Sequence, residues 1–95
     1  MTYLKVEWTH NFAQEPVEIL SELDSDRNEI RKVERFRDGT LQFAGPEGAS
    51  GSTMLSECPF PDLTEIAADP QFRPQPIGKD AFEHCWQTAT MSVAA

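Results

Sequence analysis

The chain has 95 residues and a net charge of −8, from 16 acidic against 8 basic groups, with a pI near 4.5. That length holds one domain, which hides only about 60 to 70% of the unfolded chain's surface, so a deep enclosed active site is hard to build. The acidity disfavours nucleic acid and anionic lipid and favours basic partners.

Charge is unevenly spread: residues 41–95 carry seven acidic groups against only Arg73 and Lys79. The N-terminal MTYLKVEW lacks a basic region followed by an apolar run, and no run of about 18 apolar residues follows, which predicts a cytoplasmic protein without a membrane span. Cys58 and Cys85, in a chain with no export signal, read as free thiols. No internal repeat is visible, and the one biased stretch is GPEGASGS, residues 45–52.

Tyr3 to His10 alternates, with Leu4, Val6 and Trp8 on one face and Tyr3, Lys5, Glu7 and Thr9 on the other, as in a half-buried strand. Pro16 to Leu23 repeats the pattern, with Val17, Ile19 and Leu23 inward, Glu18 and Glu22 outward, and Ser21 as the one polar inward position. The stretch EIRKVERFRDG, residues 29–39, meets two readings. A helix would begin at Asp26, with Glu29 three residues on as in a capping box. A strand would place Ile30 and Phe36 on one face and Val33, Arg31, Arg35 and Arg37 on the other. The flanks favour the strand. Asp38-Gly39 suits a two-residue hairpin turn, and LQFA returns with strand-like alternation, setting Arg37 opposite Thr40 and Phe36 opposite Leu41. Val33 then stands outward among arginines, unless a bulge near Lys32 resets the alternation or something apolar covers that face.

GPEGASGS reads as a loop, and Thr53 to Leu55 as a short edge strand. Pro59 and Pro61 hold Cys58 to Asp62 extended. Asp62 with Glu65 starts a two-turn helix over Leu63 to Ala68, ended by Asp69-Pro70. Phe72 returns to the core before the stiff segment Arg73 to Pro76. From Lys79 to Ala89, the residues Ala81, Phe82, Cys85, Trp86 and Ala89 form a helical stripe, expected to lie on the face of Leu4, Val6 and Trp8. The predicted fold is thus α+β: an antiparallel four-stranded meander packed by a C-terminal helix, with one further short helix. It is a single domain over residues 1–90 with a tail at 91–95.

Few residues announce chemistry. His84 and Cys85 are adjacent and diverge on a helix, and no zinc-ligand spacing accompanies His10 or Cys58, so neither a metal nor a cofactor is expected. A cysteine nucleophile would need a base, an orienting group and oxyanion donors, and no such set is named. The glycine loop lacks the Lys of a phosphate cradle. Three places remain. Phe60, Asp62 and Glu65 combine an aromatic in a proline-stiffened segment with carboxylates, as a partner anchor would. Glu7, His10 and Glu22 could serve a pocket between the sheet and the Phe60 region. Arg31, Arg35 and Arg37 form a row on the expected open sheet face, either a binding surface or cross-strand partners for Glu18 and Glu22.

Taken together, YLKVEWTH, EIRKVERFRDG with LQFA, PFPDLTEIAADPQFRP and FEHCW resemble a small bacterial domain family of unknown function, found as stand-alone proteins of about this length. The likeness covers residues 3–86 and implies a sheet-plus-helix fold, with no catalytic residues to carry over. Gly78 departs from the capping Ser the family leads one to expect, at a cost of only a few tenths of a kcal/mol. The expected function is a non-enzymatic module for a basic or mixed-charge protein partner, similar in style to the immunity proteins that block toxins by occlusion. The alternatives are a small hydrolase or small-molecule binder using Glu7, His10 and Glu22, and RNA binding by the sheet face. An open edge strand would also allow a homodimer.

Overall fold

The computed structural model describes residues 1–51 and 53–91. The four alternating segments form strands: Thr2–Trp8 (β1), Glu18–Leu23 (β2), Glu29–Arg35 (β3) and Leu41–Gly45 (β4). Each pairs antiparallel with the next, as the alternation predicts. The sheet has six strands rather than four, because Gly48–Ala49 (β5) and Phe72–Pro76 (β6) extend its two edges, in the order β5-β4-β3-β2-β1-β6. Two helices complete the fold, Leu63–Ala67 (α1) and Lys79–Met91 (α2). Of the tail expected at 91–95, Met91 is helical, and residues 92–95 lie outside the described residues.

The two added strands both come from segments that Gly and Pro had marked as irregular. GPEG folds as a tight hairpin in which Gly45 faces Gly48. β6 accommodates its prolines by register. Ile77 N–H donates to Tyr3 O at 2.9 Å and Thr9 N–H to Gln71 O at 2.8 Å, so odd-numbered positions carry the ladder bonds with β1. Pro74 and Pro76, opposite Val6 and Leu4, therefore sit where the backbone nitrogen faces away from β1 and no donor is missed. Thr53 to Leu55 forms no strand.

The β3–β4 connection is longer by one residue than the Asp-Gly pair suggests. Phe36 N–H donates to Thr40 O and Gly39 N–H to Phe36 O, and Gly39 takes a φ of 92°. Phe36 thus faces Thr40 and Arg35 faces Leu41, a three-residue loop closed by a left-handed glycine. A bulge does occur in β3, but at Ile30 rather than Lys32: Arg31 faces Glu22 while Glu29 faces Leu23.

The expectation for α2 is overturned. It covers the opposite face, where its Phe82 and Ala89 pack with Tyr3, Leu20 and Val33, flanked by Leu41, Phe43, Cys85 and Trp86. Phe82 lies 5.4 Å from Tyr3 between ring centroids, and Trp86 5.3 Å from Phe43. Trp86 therefore does not meet Leu4, Val6 or Trp8, and Ala81 points to solvent. Strand pairing explains the choice: Tyr3, Leu20, Val33 and Phe43 fall on one side of successive strands as an apolar strip wide enough for a helix. Val33 is fully buried there, so it is covered rather than stranded outward. The other face carries Leu4, Val6, Leu23 and Ala44, and the chain from Thr53 through α1 crosses it.

Cys85 sits in this helix interface, where burial first and Glu18 second push its thiol upward in pKa, while Cys58 is exposed. Because the thiolate is the reactive form, native alkylation followed by mass spectrometry should label Cys58 at least about tenfold faster than Cys85. Equal rates would mean that α2 does not hold its docked position.

Candidate functional site

The three arginines do not form a row on an open sheet face, although Arg35 and Arg37 are exposed. Arg31 lies beneath α2, where its Nε donates to Glu22 Oε1 at 2.5 Å and its Nη2 to Glu22 Oε2 at 2.9 Å, with a further bond from Nη2 to Glu83. Tyr3 Oη donates to the same Glu22 at 2.8 Å, and the guanidinium lies 5.0 Å from the Phe82 ring centroid and 5.1 Å from that of Trp86. Arg31 holds Glu22 below the usual carboxylate range, its hydrogen bond outweighing the upward effect of burial. Arg35 pairs with Glu18 at 2.6 Å, so the cross-strand reading of these arginines matches the geometry. Arg37 leaves the sheet altogether and donates to His10 O at 2.7 Å.

On the other face, Glu29 is the organising group. Its side chain has no exposed surface, yet the sequence suggests for it only a capping-box role in a helix that does not form. Ser21 Oγ donates to it at 2.7 Å, Ser56 N–H at 2.8 Å, and Lys32 Nζ lies 3.2 Å away. Thr53 Oγ1 bonds to Glu34 at 2.6 Å, and Lys32 Nζ donates to Met54 O at 2.8 Å. These contacts strap the segment after the β5 edge onto the sheet. Arg27, at a positive φ of 65°, continues the strap: its Nε donates to Phe60 O at 2.9 Å and its Nη2 to Pro61 O at 2.6 Å, while its own carbonyl accepts from Phe60 N–H at 2.7 Å.

This strapping opens a groove of about 430 Å³ between sheet and α1. Val6 and Ile19 form its floor, and Phe60, Pro61, Ile66 and Phe72 its walls. Glu65 and Asp69 stand on its rim, and Asp62, 71% exposed, lies beside it, 3.9 Å from Arg27. Phe60 and Glu65 are thus brought together as expected. Val6 is buried as its inward position predicts, whereas Ile19 and Phe72 are only half-buried, because hydrophobic periodicity says which face is apolar without saying whether the cover is complete.

The pocket imagined for Glu7, His10 and Glu22 exists in place but not in content, since none of the three lines it. Glu22 is engaged on the opposite face, Glu7 faces Glu18 across β1 and β2, and His10 lies beyond the end of β1. His10 Nδ1 accepts from Phe12 N–H at 3.0 Å, and its Nε2 donates to Pro16 O at 2.7 Å. Its ring lies 4.2 Å from that of Trp8, tilted against it, and stacks 5.5 Å from Phe12, between centroids. A wider cleft of about 720 Å³, between α2 and the β4–β5 hairpin, is bordered by Arg31, Phe43 and Trp86, but its guanidinium is already committed to two carboxylates. Among the described residues, no three His, Cys, Asp or Glu side chains converge as metal ligands, and no helix is long and apolar enough to cross a membrane.

Fold and groove together define a small α+β domain: an antiparallel sheet with a helix packed on one face and an acid-rimmed apolar groove on the other. The chain belongs to a family described as a domain of unknown function (DUF6881), matched over residues 2–91. No curated protein and no solved structure matches it.

Proposed function

We propose that this protein is a non-enzymatic interaction module, and that its groove takes a large apolar side chain presented by a basic or mixed-charge protein partner. The carrying observation is the groove of about 430 Å³, apolar on its floor and walls and acidic only at its rim. Burying an apolar side chain there gives affinity, on the order of 1.5–3 kcal/mol for one Leu or Phe. The rim carboxylates and the charge of −8 give choice of partner and speed of encounter. Phe60 is an apt anchor because Arg27 fixes its backbone, so little freedom is lost on binding. A partner blocked in this way would be occluded rather than modified, the immunity-like mode.

The other readings have less support. A hydrolase or small-molecule site would need Glu7, His10 and Glu22 to converge, and RNA binding by the sheet face would need Tyr3 and Arg31 open, whereas Phe82 and Glu83 engage them. A homodimer through an edge strand would have to pair with β5, two residues long, or with the proline-blunted β6.

Selection of displayed peptides on the immobilised protein tests the proposal. Enriched peptides should carry a large apolar residue beside Lys or Arg, and Phe60→Ala or Glu65→Lys should weaken them about tenfold. Enrichment of acidic peptides, or binding indifferent to both substitutions, would sink it.

A further inference from the structure

The groove does not end at Phe72. That ring, one wall of the groove, lies 5.9 Å from Trp8, and Trp8 lies 6.3 Å from Phe12, all between centroids. Phe12 is 61% exposed, the one aromatic among the exposed large hydrophobic side chains of the described residues. It is nonetheless fixed: its N–H is held by His10 Nδ1, its ring stacks on that imidazole, and the carbonyl of His10 accepts from Arg37. A large apolar ring left in water but tethered by its backbone is preorganised for a contact. Asp62, Glu65 and Asp69 flank the Phe60 end of this track, and Arg27 lies 3.9 Å from Asp62.

Resting on the reading of the groove as a partner site, we infer that the partner segment is a basic, proline-rich stretch in the polyproline II conformation. It would lay one apolar side chain in the groove and a proline on the Phe12–Trp8 shelf. Three features select this class. The sheet edges refuse strand addition, because Pro74 and Pro76 present no N–H on the outer side of β6 and β5 has two residues. The groove accepts one or two side chains rather than the repeated anchors of an amphipathic helix. A polyproline II segment needs no ladder partner, is stiff before binding, and docks by laying proline rings on aromatic faces, while Arg or Lys beside it meets the carboxylates. Gln71 accepts from Trp8 Nε1 at 3.2 Å through its side-chain oxygen, which fixes the indole of the shelf.

The two tryptophans allow a direct test, since Trp8 lies on the shelf and Trp86 under α2 on the opposite face. Three synthetic peptides of equal length are titrated into the ¹⁵N-labelled protein: a basic one with Pro-x-x-Pro spacing, its counterpart with every proline replaced by alanine, and an acidic proline-rich one. The basic proline peptide should move the Trp8 indole resonance and leave that of Trp86 in place. The alanine counterpart and the acidic peptide should each bind about tenfold more weakly, and Phe12→Ser should weaken the proline peptide to a similar extent at an unchanged melting temperature. Equal binding of the alanine counterpart, or indifference to Phe12→Ser, overturns the inference. If such binding still depends on Phe60 and Glu65, the groove reading survives it. If no basic peptide shifts either the groove residues or Trp8, both fall.

Discussion

Arg31→Ala should remove about 3–5 kcal/mol of folding stability. A domain of this length has about 5–14 kcal/mol in all, so the variant stands near the edge of folding. The cost follows from what is left behind. Glu22, its side chain 8% exposed, would keep its charge beneath α2 with only the Tyr3 hydroxyl as donor, and Glu83 would lose its bond as well. Phe82 and Trp86 would also lose the guanidinium that lies against both rings. The charges matter less than their imbalance. Replacing both partners, Arg31→Met with Glu22→Leu, should recover most of the loss, since a matched apolar pair escapes the desolvation that the ions suffer. Urea denaturation of the three proteins measures this, and a cost under about 1 kcal/mol for Arg31→Ala would show that the pair is solvated.

The same network sets the pH behaviour. Arg31 first, and then Tyr3, hold the Glu22 pKa below its ordinary value, against burial, which raises it. A depressed folded-state pKa contributes stability that is complete above the unfolded value of about 4.3 and is lost as pH falls through the lower folded value. Glu22→Gln should therefore flatten the acid limb of the stability curve while lowering the neutral plateau. Tyr3 works on the alkaline side: burial, then Glu22, raises its phenol, so its contribution is intact below about pH 10 and declines as pH climbs through the raised folded value.

Glu29→Ala is expected to cost about 2–4 kcal/mol and, unlike Arg31→Ala, to dismantle the groove. The carboxylate satisfies the Ser21 hydroxyl, the Ser56 N–H and the Lys32 ammonium at once, and Ser21 is 1% exposed. Without it, a buried hydroxyl and a nearly buried amine lose an acceptor, and the segment from Thr53 to Phe60 loses its central attachment. Hydrogen exchange should show faster exchange at Ser56 and at neighbouring amides, with α2 amides little changed, and the peptide affinity of the groove should fall with it. If exchange rises uniformly, the strap and the helix form one cooperative unit and the groove cannot be loosened separately.

Much of this architecture is legible residue by residue. The alternation of Tyr3 to Trp8 and Glu18 to Leu23 specifies two strands, because a period of two places every second side chain on one face, and the turn residues Asp38-Gly39 with LQFA beyond them favour Glu29 to Arg35 as a third. Asp62 with Glu65 marks the start of α1, and the stripe Phe82, Cys85, Trp86 and Ala89 specifies α2. What alternation cannot state is which face a helix will choose. Leu4, Val6 and Leu23 are more strongly apolar than the mixed strip of Tyr3, Leu20, Arg31 and Val33, so the first face is the natural choice for a helix on sequence grounds. The mixed strip becomes the better bed only once Glu22, Arg31, Tyr3 and Glu83 meet from four different elements and satisfy one another.

The candidate site divides the same way. Phe60 and Glu65 can be picked from the sequence because prolines and carboxylates beside an aromatic are local features. Ile66, Phe72, Trp8 and Phe12 cannot, because their partial exposure depends on the path of a neighbouring segment. Sequence alone therefore determined the strands of the meander, both helices and the acidity of the chain, since each depends on residues near one another along it. Tertiary structure alone decided the sixfold width of the sheet, the side on which α2 lies and the opening of the groove. Those depend on hydrogen bonds such as Glu29 to Ser56 and Arg27 to Phe60, which join residues 27 and 33 positions apart and exist only once the chain has closed on itself.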